Sequence, residues 1–119
     1  MDTLSIIIIA LIVLFLVSRL LPAKGVRQIT TAELKNELGD NNKQFIDVRT
    51  PGEFNANHIR GFRNVPLQQL ARKTGDLSKD REVVLICQSG MRSGKASKML
   101  KKSGFAKVTN VKGGMSAWS

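Results

Sequence analysis

Cysteine, histidine and tryptophan each occur once in this 119-residue chain, as Cys87, His58 and Trp118, and tyrosine does not occur at all. A single cysteine excludes an internal disulfide framework and argues against a small exported domain, which usually carries paired cysteines. Acidic residues are scarce, 9 Asp plus Glu against 19 Lys plus Arg, for a formal charge of +10. Nucleic acid, anionic lipid and small anionic substrates are the partners that such a charge suits. With no tyrosine, five scattered phenylalanines and none of the standard binding motifs, no nucleic acid is expected. Membrane lipid is the expected target of the surface charge. The length allows one small domain.

What the chain does have is an uncharged apolar run, Leu4 to Val17. Those residues rise about 21 Å as a helix, and extension to Leu21 gives about 27 Å, enough to span a bilayer core if Arg19 snorkels to the headgroups. A cleaved signal peptide would open with a basic stretch, whereas this chain opens Met1-Asp2. A buried core helix would need a polar face, which four consecutive isoleucines do not leave. Residues 1–21 are therefore expected to be a transmembrane anchor, 22–27 a basic linker and 28–119 the domain. Arg19, Lys24 and Arg27 follow the span and only Asp2 precedes it, so the positive-inside rule places the domain in the cytoplasm of a single-pass protein at the cell membrane.

Beyond the linker, helix and strand signals alternate. Thr30 and Glu33 form a capping box ahead of Leu34 and Leu38, with Gly39 as the stop. Gln44–Val48 reads as a strand, broken by Pro51-Gly52, after which an irregular stretch runs to Gly61. Pro66 is expected at the first position of a helix that buries Leu67, Leu70 and Ala71 and ends before Gly75. Glu82–Ile86 is a continuous apolar strand of the central parallel type, terminated by Cys87. A helix from near Arg92 buries Ala96, Met99 and Leu100 and ends at Gly104, with Phe105 folded back on Leu100. Lys107–Val111 is a further strand. This order predicts an α/β domain with a mostly parallel sheet flanked by helices.

Ligands of open α/β sheets sit at the carboxyl ends of the strands, which is where Cys87 falls. The backbone N–H groups of Gln88, Ser89, Gly90 and Met91, the helix N-terminus and the charge of Arg92 all favour thiolate over thiol. Sulfur transfer from a small anionic donor suits a thiolate in an anion cradle, because it needs no general base. His58 lies beside turn signals and reads as a hydrogen-bonded structural residue, with a Cys-His pair as the alternative. Lys95, Lys98 and Lys102 share a solvated helix face. Met91 reads as a gate or space filler and Trp118 as a core plug. No cofactor and no metal are implied.

Three ordered motifs then resemble the rhodanese-like domain family. They are Phe45-Ile-Asp47-Val-Arg49-Thr-Pro-Gly-Glu53-Phe54 with His58-Ile59-Arg60-Gly61 and Asn64-Val65-Pro66; Val83-Val-Leu-Ile-Cys87-Gln-Ser-Gly-Met-Arg92-Ser93; and Val111-Lys-Gly-Gly114-Met-Ser-Ala-Trp118. Together they cover about Gln28 to Trp118, and the arrangement is similar to single-domain bacterial members with an N-terminal membrane helix. The resemblance implies a thiosulfate sulfurtransferase-like enzyme with Cys87 as the catalytic persulfide carrier. Gln88, Ser89, Gly90, Met91, Arg92 and Ser93 become the substrate-binding cradle, with Arg92 beside the donor's oxyanion and Asp47 and Arg49 as a supporting pair. The implied acceptor is a thiol or a thioredoxin-like protein. The chain departs from the family at Asn57, often glycine, where Asn can take a positive φ, and at Phe62, usually small. It also stops at Ser119, which leads us to expect a frayed last helix. Related phosphatases and arsenate reductases place five residues between Cys and Arg, and this chain has four. A non-catalytic binding or sulfur-carrier module is the alternative of a different class.

Overall fold

The computed structural model describes residues 1–21 and 24–119. Helix α1, Thr3–Leu20, is capped by Asp2, whose side chain accepts from Ser5 N–H at 2.8 Å. Its 18 residues match the hydrocarbon thickness of a membrane, about 30 Å, to within a turn. None of them is buried, which excludes the core-helix reading. By length and composition α1 can cross a membrane, and a signal sequence has the same properties.

Strand β1 (Val26–Ile29) begins earlier than expected: Val26 and Arg27, assigned to the linker, pair with Val108 and Thr109. Pro22 and Ala23 of that linker lie outside the described residues. There follow α2 (Thr31–Glu37), β2 (Lys43–Asp47), α3 (Pro51–Ala56), β3 (Arg63–Asn64), α4 (Leu67–Lys73), β4 (Glu82–Ile86), α5 (Met91–Lys102), β5 (Val108–Val111) and α6 (Gly114–Ala117). The five strands form one parallel sheet in the order β1-β5-β4-β2-β3. β4 is thus central and buried on both faces, as its apolar run requires.

Strand side chains alternate between faces. Val83, Leu85 and Cys87 pack with Leu70, Ala96 and Leu100 of α4 and α5, whereas Val84 and Ile86 pack with Leu34 and Met115 on the face of α2 and α6. Both α2 signals hold: the Thr30–Glu33 capping box is complete and Gly39 follows with φ +89°. The C-terminus of α5 is a Schellman motif, with Phe105 N–H donating to Leu100 O and Gly104 N–H to Lys101 O. Phe62 finds its place against Phe45, ring centroids 5.3 Å apart.

Six local expectations are corrected. The stretch after Pro51-Gly52 is helical, because Thr50 caps it, Glu53 closes a second capping box and Pro51 occupies the first turn. Asn57 ends α3 in extended backbone at φ −169°, and the left-handed turn falls on Gly61 instead. Pro66 is the N-cap of α4 rather than its first residue, and Ala71 is exposed while Leu77 completes the buried set. Gly75 does not end the helix cleanly but lies in a 3-10 turn, Thr74–Asp76. Met99, expected to be buried, is half-buried.

If the second capping box holds α3, Thr50→Ala should lower the unfolding free energy by about 1 kcal/mol in urea denaturation of the full chain. No change would mean that α3 is held by packing alone.

Candidate functional site

Cys87 leaves β4 on the α5 face, and its side chain is buried. Gln88 and Ser89 are exposed and Gly90, at φ +102°, turns the chain into α5 as its N-cap. The helix starts at Met91, one residue before the expected position, and Met91 is 79% exposed, so it does not fill space in the core. Around the sulfur, Gly90 N–H donates to Cys87 Sγ at 3.0 Å and the Ser93 hydroxyl at 3.3 Å. Burial pushes the Cys87 thiol up, but the Ser93 hydroxyl and the backbone amides of Ser93, Gly90 and Ser89 outweigh it, leaving the thiol below its ordinary value. The Ser93 hydroxyl also reaches Gly90 O at 3.2 Å. It has one proton, and a charged sulfur is the better acceptor of the two.

The far side of the loop is held by α6. Met115 N–H donates to Cys87 O and Ser116 N–H to Gln88 O, both at 2.9 Å. Gly114 makes this approach possible: a Cβ there would lie 2.2 Å from Cys87 O, and its φ is +54°.

Two ion pairs border the loop. Arg49 and Asp47 are both buried, joined by Nη2–Oδ2 at 2.9 Å and two Nε contacts at 3.1 Å. Arg49 also reaches Gln88 Oε1 at 3.4 Å, and Gln88 Nε2 donates to Ser116 Oγ at 3.2 Å, which connects the pair to the loop. Asn64 donates to the carbonyls of Asp47 and Arg49, steadying the same corner. Arg92 forms the second pair, a bidentate bridge to Glu53 with Nη1–Oε1 at 2.6 Å and Nη2–Oε2 at 2.9 Å. The full charge expected to act on Cys87 is therefore shared with a carboxylate. Arg92 has its pKa raised chiefly by the hydrogen bonds to Glu53, with the Cys87 charge a smaller cause. Arg92 in turn holds the Glu53 carboxyl down at about 2.

Glu53, Asn64, Gly114 and Ser116 fall within the quoted motifs, but the sequence assigned none of them a role at the site. Thr50-x-x-Glu53 carries the same signal as Thr30-x-x-Glu33 and would have placed Glu53 at a helix start. His58 binds Phe54 O through Nδ1 at 2.8 Å and stacks on the Phe54 ring, a structural arrangement. Lys95 and Lys102 are exposed and Lys98 half-exposed, with no ion pair at any of them among the described residues. Trp118 is half-buried against the α2 face, with Lys35 Nζ 5.3 Å from its ring centroid.

A parallel α/β sheet that presents a hydrogen-bonded thiol at the carboxyl end of its central strand defines a class of cysteine-centred domains. The chain belongs to the rhodanese-like domain family, whose profile matches residues 30–119. YqhL of Bacillus subtilis, an uncharacterized protein, is 37% identical over 113 residues, covering 95% of this chain and 88% of its own. A sulfurtransferase of Allochromatium vinosum is 33% identical over 95 residues, covering 79% of this chain and 89% of its own. A rhodanese-like domain protein from Staphylococcus aureus superposes with a TM-score of 0.73 at 33% identity, over 79% of this chain and 92% of that one.

Because Ser93 donates to the sulfur, Ser93→Ala should move the pH midpoint of Cys87 alkylation upward, slowing reaction with iodoacetamide below that midpoint. An unshifted profile would leave the backbone amides as the whole source of thiolate stabilisation.

Proposed function

We propose that the protein is a sulfurtransferase that carries sulfane sulfur on Cys87 and is anchored in the membrane by α1. The observation that carries this reading is the Cys87 sulfur held by Gly90 N–H and the Ser93 hydroxyl beneath the start of α5. Membership of the rhodanese-like family and similarity to a named sulfurtransferase support it.

In the forward step the Cys87 thiolate attacks the outer sulfur of thiosulfate or a similar donor. The new S–S bond forms on Cys87, the donor's S–S bond breaks, and sulfite leaves with the electron pair, so that no proton need move. The product, Cys–S–S⁻, keeps one negative charge for the loop amides of Gln88, Ser89, Gly90, Met91, Arg92 and Ser93 to stabilise. A thiophilic acceptor then attacks the outer sulfur and Cys87 leaves as thiolate. In the cell that acceptor is a thiol or a thioredoxin-like protein. Asp47 and Arg49 brace the loop through Gln88.

The first strand begins at Val26, six residues after α1 ends at Leu20, an arrangement that supports a domain tethered by a separate anchor. The match to YqhL covers 95% of this chain, which takes it into α1. Arg19, Lys24 and Arg27 favour a cytoplasmic domain, where anionic lipid and reduced acceptors are both at hand.

Intact-mass measurement tests the chemistry. Thiosulfate should add one sulfur atom to the wild-type chain, removable by cyanide or dithiothreitol, and none to Cys87→Ser. A folded wild type that stays unmodified by several sulfane donors would establish a non-catalytic module instead. Topology is tested separately: protease added to intact cells should spare the domain and cut it only after permeabilisation, and digestion without permeabilisation would reverse the orientation.

A further inference from the structure

The charges around Cys87 do not add up to a cationic pocket. Arg49 is matched by Asp47 and Arg92 by Glu53, each through two or more contacts of 3.1 Å or less. What faces the sulfur directly is neutral: an amide N–H from Gly90 and a hydroxyl from Ser93. Glu53 is tied from behind as well, its Oε1 accepting from Thr50 N–H at 3.1 Å and from the Thr50 hydroxyl at 3.0 Å. That carboxylate therefore holds Arg92 from a fixed point on α3, not from a freely rotating side chain.

Resting on the sulfurtransferase reading above, we propose that Glu53 is a positioning residue that screens the Arg92 charge from the Cys87 pocket, so that the site takes a singly charged organic persulfide in preference to a small dianion such as thiosulfate. A dianion gains most from an unpaired guanidinium and loses most when a carboxylate shares it. An organic persulfide brings one charge, on the terminal sulfur that is transferred, and the neutral donors of the loop suffice for it. Transfer from R–S–S⁻ is balanced: the Cys87 thiolate attacks the terminal sulfur, Cys–S–S⁻ forms, and R–S⁻ leaves with the electron pair.

The field at Cys87 can be read without any turnover. Iodoacetate and iodoacetamide alkylate the same thiolate by the same displacement, at nearly the same size, and differ by one negative charge. Their rate ratio on the full chain in neutral detergent therefore cancels the thiolate fraction and any opening of the loop. Glu53→Gln should raise the iodoacetate-to-iodoacetamide ratio on the order of fivefold, an effect that salt weakens. Arg92→Gln should lower it, because Glu53 is then unmasked. The double variant, Glu53→Gln with Arg92→Gln, should return close to the wild-type ratio. A disturbance of the fold would push both single variants the same way, whereas screening moves them in opposite directions. With turnover, Glu53→Gln should also lower the thiosulfate KM more than it changes kcat. If the ratio is unmoved in Glu53→Gln, or moves the same way in both single variants, Glu53 does not screen the site and the proposal falls. Failure of persulfide formation with every donor would instead sink the sulfurtransferase reading and leave the alkylation result standing.

Discussion

Two backbone hydrogen bonds decide which way the Cys87 loop faces. The peptide unit is planar, so a carbonyl turned one way sends the N–H of the same unit the other way. Ser116 N–H takes the Gln88 carbonyl, and the N–H of Ser89, its partner across that peptide, is thereby turned from α6 toward the sulfur, where it helps lower the Cys87 pKa. Met115 N–H fixes the Cys87 carbonyl in the same manner. The closing motif around Gly113-Gly114 thus belongs to the site although it lies more than twenty residues downstream. It supplies the donors that hold the back of the cradle, and Gly114 is the one residue whose lack of a side chain lets them come near enough.

The cradle stabilises negative charge through dipoles. An amide or hydroxyl that is already oriented loses little on meeting a charge, and in a buried site its field is poorly screened. Arg49 and Arg92 beside the loop are each occupied by a carboxylate. Arg49 steadies Gln88, and Arg92 joins the start of α5 to the start of α3. With a folded pKa of about 2 against an ordinary 4.5, Glu53 stays ionised in the folded protein well below pH 4.5; the stabilisation it contributes is full above about pH 4.5 and is lost as pH falls from there toward 2.

Features written in adjacent residues were legible in the sequence. The Thr30 capping box, the Glu82–Ile86 strand, the Gly104 helix end and the parallel α/β class all follow from local spacing, and the structure reproduces them. α3 was hidden because Pro51-Gly52 reads as a breaker, although proline is at home in a helix's first turn and Thr50 caps it. β3 is two residues long and carries no periodicity to detect. The partners of Arg92 and Cys87 were out of reach for another reason. Glu53 lies 39 residues from Arg92, and Gly114 meets Cys87 only once the sheet has brought β5 beside β4. Side-chain charge is visible in a sequence, but its neutralisation is a tertiary fact.

That distinction also separates the two uses of the chain's positive charge. A formal +10 invites the idea that substrate is gathered electrostatically, yet Arg49 and Arg92, the cations bordering the pocket, are both paired with carboxylates. Exposed cations without ion pairs among the described residues, such as Lys95 and Lys102 on α5, lie on the solvent side of the helix whose Ala96 and Leu100 line the core. Charge on an outer surface acts over about 8 Å at physiological salt, which suits a nearby lipid headgroup layer better than a sulfur atom beneath the loop. Under the proposed topology and function the excess charge would hold a tethered domain against its membrane, and the proposed sulfur transfer at Cys87 would proceed in a pocket kept close to neutral. The two demands can then vary independently: lysines on the surface can change without altering the thiol, and Glu53 can retune the thiol's surroundings without altering the attraction to lipid.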